Sequence, residues 1–222
     1  VEQYLVLLAV GGVGVGVLVA AWAINAYFAK VRREAWQAVA QQIGLSFLAD
    51  AQGVRDRLSN FKVCDLGHSR KASNALAGRM SGFDVTLFDY RYITGSGKNS
   101  QTHQQTLCAV SHPELARLPH FFVRRQVALW DALGKVFGGQ DINFDEDLAF
   151  SRSFVLQGDD EAAVRHALSD HARGYFSKFQ QSTLQFEARG DTLLVNSGKR
   201  IKPEDGRATI EQAIGIARIW TE

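Results

Sequence analysis

The sequence predicts an α+β protein in which one N-terminal transmembrane helix is followed by a mixed domain of antiparallel sheet with flanking helices. Three observations predict it. Leu5 to Phe28 carries no charged residue, and as a helix it would reach about 36 Å against a hydrocarbon core of about 30 Å. The middle of the chain sets β-branched and aromatic residues between turn signals. Helical periodicity returns after Asp159 and after Pro203, so strands and helices come in runs and not in a βαβ alternation.

The apolar segment reads as a retained anchor. Ala21-Trp22-Ala23 has the look of a signal-peptide cleavage site, but the run is too long for a signal peptide and its basic flank follows it. Lys30, Arg32 and Arg33 come directly after the run, and by the positive-inside bias they leave the N-terminus outside and the domain in the cytoplasm. Trp22 and Tyr27, with those three cations, are the residues expected at the membrane interface. Gly12, Gly16 and Ala20 fall four apart and form a strip of small residues on one face, the kind of surface against which a second helix packs in lipid. The expected division is residues 1–33 as anchor and basic flank and 34–222 as the cytoplasmic domain, with a candidate sub-domain boundary near 127–147.

Beyond the flank, Trp36, Val39, Ala40 and Ile43 repeat at helical spacing and Gly44 supplies a stop. Leu45 to Leu48 reads as a short strand and Val54 to Leu58 as a helical turn. Strands are expected over Phe61 to Leu66, Asn74 to Met80, Phe83 to Ile93 and His103 to Val110, with Ser81-Gly82 as a hairpin turn. Phe83, Val85 and Leu87 alternate with Phe88, Tyr90 and Tyr92, so both faces of that strand are bulky and it belongs in the centre of a sheet. Phe121 to Arg125 is a further strand, Val127 to Phe137 a helix, and Ser153 to Leu156 a strand. A helix from about Asp159 shows Val164, Ala167 and Leu168 on one face and closes at Gly174. Leu184 to Ala188 and Thr192 to Val195 form a hairpin, and the last helix presents Ile210, Ala213, Ile214 and Ala217.

The formal net charge of 222 residues is only +2, so no global field draws the chain to nucleic acid, and its basic pairs are scattered. Two cysteines are too few for a disulfide framework; Cys64 and Cys108 sit in apolar runs and are expected to be reduced and buried. Motifs for catalysis fail on inspection. Gly95-Ser96-Gly97-Lys98 lacks the P-loop's first glycine, where Tyr92 stands, and its Ser or Thr, where Asn99 stands. Asp141 to Asp147 alternates oxygen ligands as a calcium loop does, but Glu146 replaces the required glycine and Arg152 the closing glutamate. The six histidines show no zinc spacing. No catalytic residue, cofactor or metal ligand is therefore assigned. The densest polar and aromatic cluster, Asp89, Tyr90 and Tyr92 with His103 across a hairpin, is a candidate pocket, although cross-strand aromatic and charge pairing within a sheet is the favoured account of it.

Leu87 to Thr106, Leu118-Pro119-His120-Phe121 and Phe137 to Gly158, taken with the apolar N-terminal run, resemble uncharacterised bacterial single-pass membrane-anchored proteins of unknown function. The resemblance implies a bacterial inner (cytoplasmic) membrane and carries no catalytic residue. The sequence-based reading is thus a non-enzymatic accessory or structural subunit of an inner-membrane complex, with a respiratory or photosynthetic complex as the setting it names. Its partners would be membrane lipid and, through the helix, other integral subunits or a second copy of the chain. The alternative is a membrane-tethered ligand- or lipid-sensing domain.

Overall fold

The computed structural model describes residues 2–126, 141–179 and 183–222, with side chains from Leu18 onward. Helix α1 spans Glu2–Ile43. Its last three turns lie on the sheet, where Trp36 and Ala40 are buried and Val39 and Ile43 pack beside them. These are the positions that the helical repeat puts on one face. Gly44 ends the helix with φ +73°, and the Leu45 amide closes back on the Ala40 carbonyl at 2.9 Å, a Schellman turn that needs the left-handed residue glycine supplies.

The transmembrane helix expected over Leu5 to Phe28 is corrected: among the described residues no helix is long and apolar enough to cross a membrane. From Leu18 the described side chains are uncharged as far as Ala29, and the helix then continues through Lys30, Arg32, Arg33 and Glu34 to Ile43. Gly12 and Gly16 of the small-residue strip lie outside the described side chains, and Ala20 is exposed.

The body of the fold is one antiparallel sheet of eight strands: β1 Ser46–Asp50, β2 His68–Met80, β3 Phe83–Thr94, β4 Gln101–Ser111, β5 Phe121–Arg125, β6 Phe154–Gly158, β7 Gln185–Arg189 and β8 Thr192–Asn196. Their spatial order is β1-β2-β3-β4-β8-β7-β5-β6. The first four strands form a meander; β8 joins it by pairing Leu107 with Asn196 through Ser111 with Thr192. Ser81-Gly82 makes the β2–β3 turn with both residues at positive φ. Strand β3 is central and buried on both faces, as the double set of bulky residues requires.

Helices cover the two faces unequally. One face carries α1, α4 (Leu148–Ser153), α5 (Glu161–Ala167), α6 (Asp170–Phe176) and α7 (Gly206–Ala217), enclosing a large core with Val85, Leu87, Val123, Leu156 and Phe186. The other is covered by α2 (Gln52–Arg57) and α3 (Lys62–Asp65) over Phe88, Tyr90, Tyr92 and Leu107.

Helix α3 replaces the strand expected over Phe61 to Leu66. Phe61 and Cys64, three apart, both turn onto the sheet, and the Tyr90 hydroxyl donates to the Cys64 carbonyl at 2.9 Å. A four-residue helix is too short for its period to be told from an apolar strand. The helix expected from Asp159 to Gly174 is two: Leu168 leaves helical geometry, and the Ser169 hydroxyl caps α6 by accepting from the Ala172 amide. The helix expected over Val127 to Phe137 lies outside the described residues, as does most of the 127–147 boundary segment.

Candidate functional site

The distinctive polar centre lies where α1 meets the sheet. Asp89, on β3, is 4% exposed and points to the α1 face. Arg32, one turn before Trp36, reaches it with both arms of its guanidinium: Nε to Oδ2 at 2.8 Å and Nη2 to Oδ1 at 2.6 Å. Its third arm donates to the Ile201 carbonyl at 3.0 Å. The indole of Trp36 donates to Oδ2 at 3.3 Å, and the Thr106 hydroxyl, directly across the ladder, donates to Oδ1 at 3.0 Å.

Asn74 adds a donor at 3.0 Å from an irregularity in β2, where its φ of +52° places the amide over the carboxylate. Asparagine is among the few residues that adopt this conformation readily. Arg200 completes the set at 3.4 Å. Burial would raise the Asp89 carboxyl, but the Arg32 hydrogen bonds and charge, with Asn74 and Arg200, hold it below the usual carboxylate range. Every lone pair is occupied, so Asp89 has no capacity left to act as a base or nucleophile. It is a latch. It ties α1, the sheet and the segment after β8 into one unit.

Beside the latch α1 leaves the sheet, and a cleft of about 490 Å³ opens beneath it. Its walls include Ala29 and Arg33 from the helix, Lys71 and Arg91 from adjoining strands, and Arg200. Beyond the cleft the helix stands uncovered. Leu18, Val19, Trp22, Ile24, Tyr27, Phe28 and Val31 are all exposed, Trp22 at 72%.

The sequence-predicted residues therefore separate. Trp22, Tyr27 and Lys30 are exposed on the free helix and Arg33 lines the cleft. Arg32 is not at an interface but bound to a buried carboxylate. The candidate pocket does not form as one site, because successive residues of β3 face opposite sides. Asp89 looks toward α1. Tyr90 and Tyr92 are buried under α2 and α3, and His103 stacks on Tyr92 at 4.7 Å with its Nε2 2.7 Å from the Thr94 hydroxyl.

A second polar network escaped the sequence reading. His120, just before β5, has Nδ1 2.7 Å from Asp159 and Nε2 2.8 Å from Glu187, whose other oxygen accepts from the Lys62 amide at 2.7 Å. Its members come from four separate elements and have no spacing that could reveal them. The neighbouring Cys64 does not serve as a nucleophile there: burial pushes its thiol up to about 12, which leaves it unreactive. Among the described residues no group of three His, Cys, Asp or Glu side chains is placed to hold a metal ion.

Burial raises the Glu187 carboxyl above its ordinary value, against the His120 and Lys62 hydrogen bonds. The folded protein thus holds that proton more tightly than the unfolded chain does. The contribution to stability is complete below the unfolded value of about 4.3 and fades as pH rises through the folded value. Glu187→Gln keeps an acceptor for the Lys62 amide and removes the charge. Thermal melts at a series of pH values should therefore show the variant gaining on the wild type as pH rises through that window; a constant difference would refute the assignment.

No family model and no curated protein matches the chain. Among solved structures it is similar to the crystal structure of the mycobacterial trehalose monomycolate transport factor A, TtfA, with a TM-score of 0.52 over 86% of this chain and 91% of that one. The two are 13% identical. The likeness is one of fold. It places the sheet and its helices in a known architecture, and the latch, cleft and exposed helix are read from this chain alone.

Proposed function

We propose that this chain is a non-enzymatic accessory protein that works at a membrane, using the uncovered part of α1 to hold a partner with a complementary apolar surface. The carrying observation is the run of exposed large apolar residues from Leu18 to Val31, rigidly continued from a helix whose base is locked by Arg32 and Trp36. Contiguous exposed apolar surface of this kind marks an interaction site in stable proteins. The lock matters because a rigid arm loses less entropy on docking than a flexible tail. The name of the structurally similar protein, a transport factor, agrees with an accessory role. This role needs no respiratory or photosynthetic complex. The alternative of a ligand-sensing pocket around Tyr90 and His103 loses its geometry, since those side chains are packed and Asp89 faces away.

The test is recovery of the protein from its native membrane in mild detergent. The wild type should carry a defined partner. Replacing Trp22, Tyr27 and Phe28 together with serine should remove that partner without changing the melting temperature, because none of the three touches the core. Equal recovery of the partner by the variant, or a wild type that comes away alone, would refute the role.

A further inference from the structure

We propose that the cleft beneath α1 is a binding site for a phosphate-bearing anion. The register of the sheet carries the inference. Lys71 on β2 stands directly opposite Arg91 on β3, and Arg91 directly opposite Gln104 on β4, all on the α1 face. Side chains so paired have Cβ atoms about 5 Å apart, and like charges in that position repel. No carboxylate forms an ion pair with Lys71 or Arg91 among the described residues, nor with Arg33, which approaches from the helix.

Arg200 is anchored across the same row, with Nη1 donating to the Gln104 side chain at 2.7 Å and Nη2 to Asp89 at 3.4 Å. The cleft therefore gathers four cations against two carboxylates. Of those two, Asp89 is already neutralised by Arg32, and Asp50 accepts from the Gln52 amide at 3.0 Å. A multidentate anion between the lysine and the guanidinium forks would relieve the repulsion and use the donors left over, as guanidinium–phosphate pairing does. The volume of about 490 Å³ admits a phosphate ester with its substituent.

The shared chemistry is a phosphate mono- or diester, available from a lipid headgroup or from a soluble ester. The site stands independently of the apolar arm, although the arm would bring it close to a bilayer surface. The full chain is titrated with glycerol phosphate by calorimetry. In parallel it is floated with phosphatidylcholine vesicles that contain or lack phosphatidylglycerol. Binding that needs the anionic vesicles assigns the headgroup, and binding of glycerol phosphate with no vesicle preference assigns the soluble ester.

The exposed pair Lys71→Gln with Arg91→Gln should weaken whichever binding is seen by about 25-fold, near fivefold for each charge. The charge-matched pair Lys178→Gln with Arg165→Gln, from the segment after α6 and from α5 at the other end of the sheet, should change it less than twofold. Equal losses in the two pairs, or wild-type binding by the Lys71/Arg91 pair, would overturn the site, as would the absence of binding in both arms. The accessory role is tested separately, because the serine variant of the apolar arm leaves all four cations in place.

Discussion

Asp89→Asn should lower the stability of the folded domain by about 3–5 kcal/mol, the cost of removing one partner of a buried ion pair. The side chain of Arg32 is only 16% exposed and its guanidinium is held by Asp89 on two arms. With an amide in place of the carboxylate, that charge remains buried without a counter-ion, and at least one donor faces an NH2 group. Urea denaturation measures the loss. Amide exchange over residues 32–43 locates it, because those residues should exchange early when the latch opens. The pH dependence gives an independent check. The folded Asp89 holds its proton more weakly than the unfolded chain does, so its contribution is complete above about 3.9 and is lost as pH falls through the folded value. The wild type should therefore lose stability on acidification below about pH 4 in excess of the variant. A variant with unchanged denaturation and the same acid limb would show that the latch is incidental.

The same centre shows what the sequence could and could not reveal. The strands were legible because β-branched and aromatic residues fall between turn signals: β3 carries bulky residues on both its faces, and β7 and β8 flank the Arg189-Gly190-Asp191 turn. The C-terminal helix was legible from Ile210, Ala213, Ile214 and Ala217, all buried. Two helical details were not. Helix α3 has one turn, and the break at Leu168–Ser169 depends on a hydroxyl cap that an amphipathic repeat conceals.

The site was half legible. Arg32 has the same local signature whether it flanks a membrane or binds a buried acid, since each requires a cation at the end of an apolar run. What decides between them is a partner 57 positions away in the chain. A charged residue in the middle of a bulky strand, as Asp89 is in β3, was the available signal. A carboxylate there must be paired or it would not be tolerated, and the nearest basic residues on a helix with core-facing spacing are those preceding Trp36. Lys71 and Arg91 could not be paired from sequence at all, because the register that sets them opposite one another depends on the irregularities in β2.

The latch and the apolar arm also belong to one physical arrangement. Trp36 packs against α7 closely enough that a Cβ on Gly206 would lie 2.6 Å from its ring. The ring also stacks beneath the Arg32 guanidinium, 5.4 Å from its centroid. Anything that pulls the exposed part of α1 is therefore felt first at Arg32 and Trp36, then by β3 through Asp89 and by the C-terminal helix through Gly206. This is a contiguous path of packed and hydrogen-bonded groups from the arm into the core.

Phe186→Ala should be as costly as loss of the latch, about 3–5 kcal/mol, because it empties the centre of the second half of the core. Phe186 lies on β7, stacked on Phe176 of α6 at 5.0 Å, edge-on to Phe121 of β5 at 6.1 Å and near Trp220 at 6.3 Å. These partners come from three separate elements, so no single neighbour can shift to fill the space. The indole of Trp220 is held by its donation to the Ala167 carbonyl at 2.8 Å and cannot swing inward without breaking that bond. The distribution of the loss is as informative as its size. The sheet is continuous through five paired residues between β4 and β8, so the strands near Phe186 and the distant β2–β3 hairpin should lose amide-exchange protection together and by the same amount, as a single cooperative unit does. Protection that falls in β5 to β8 while β2 and β3 keep theirs would mean that the β4–β8 ladder is a seam between two units. In that case the latch and the aromatic cluster would stabilise separate halves of the molecule.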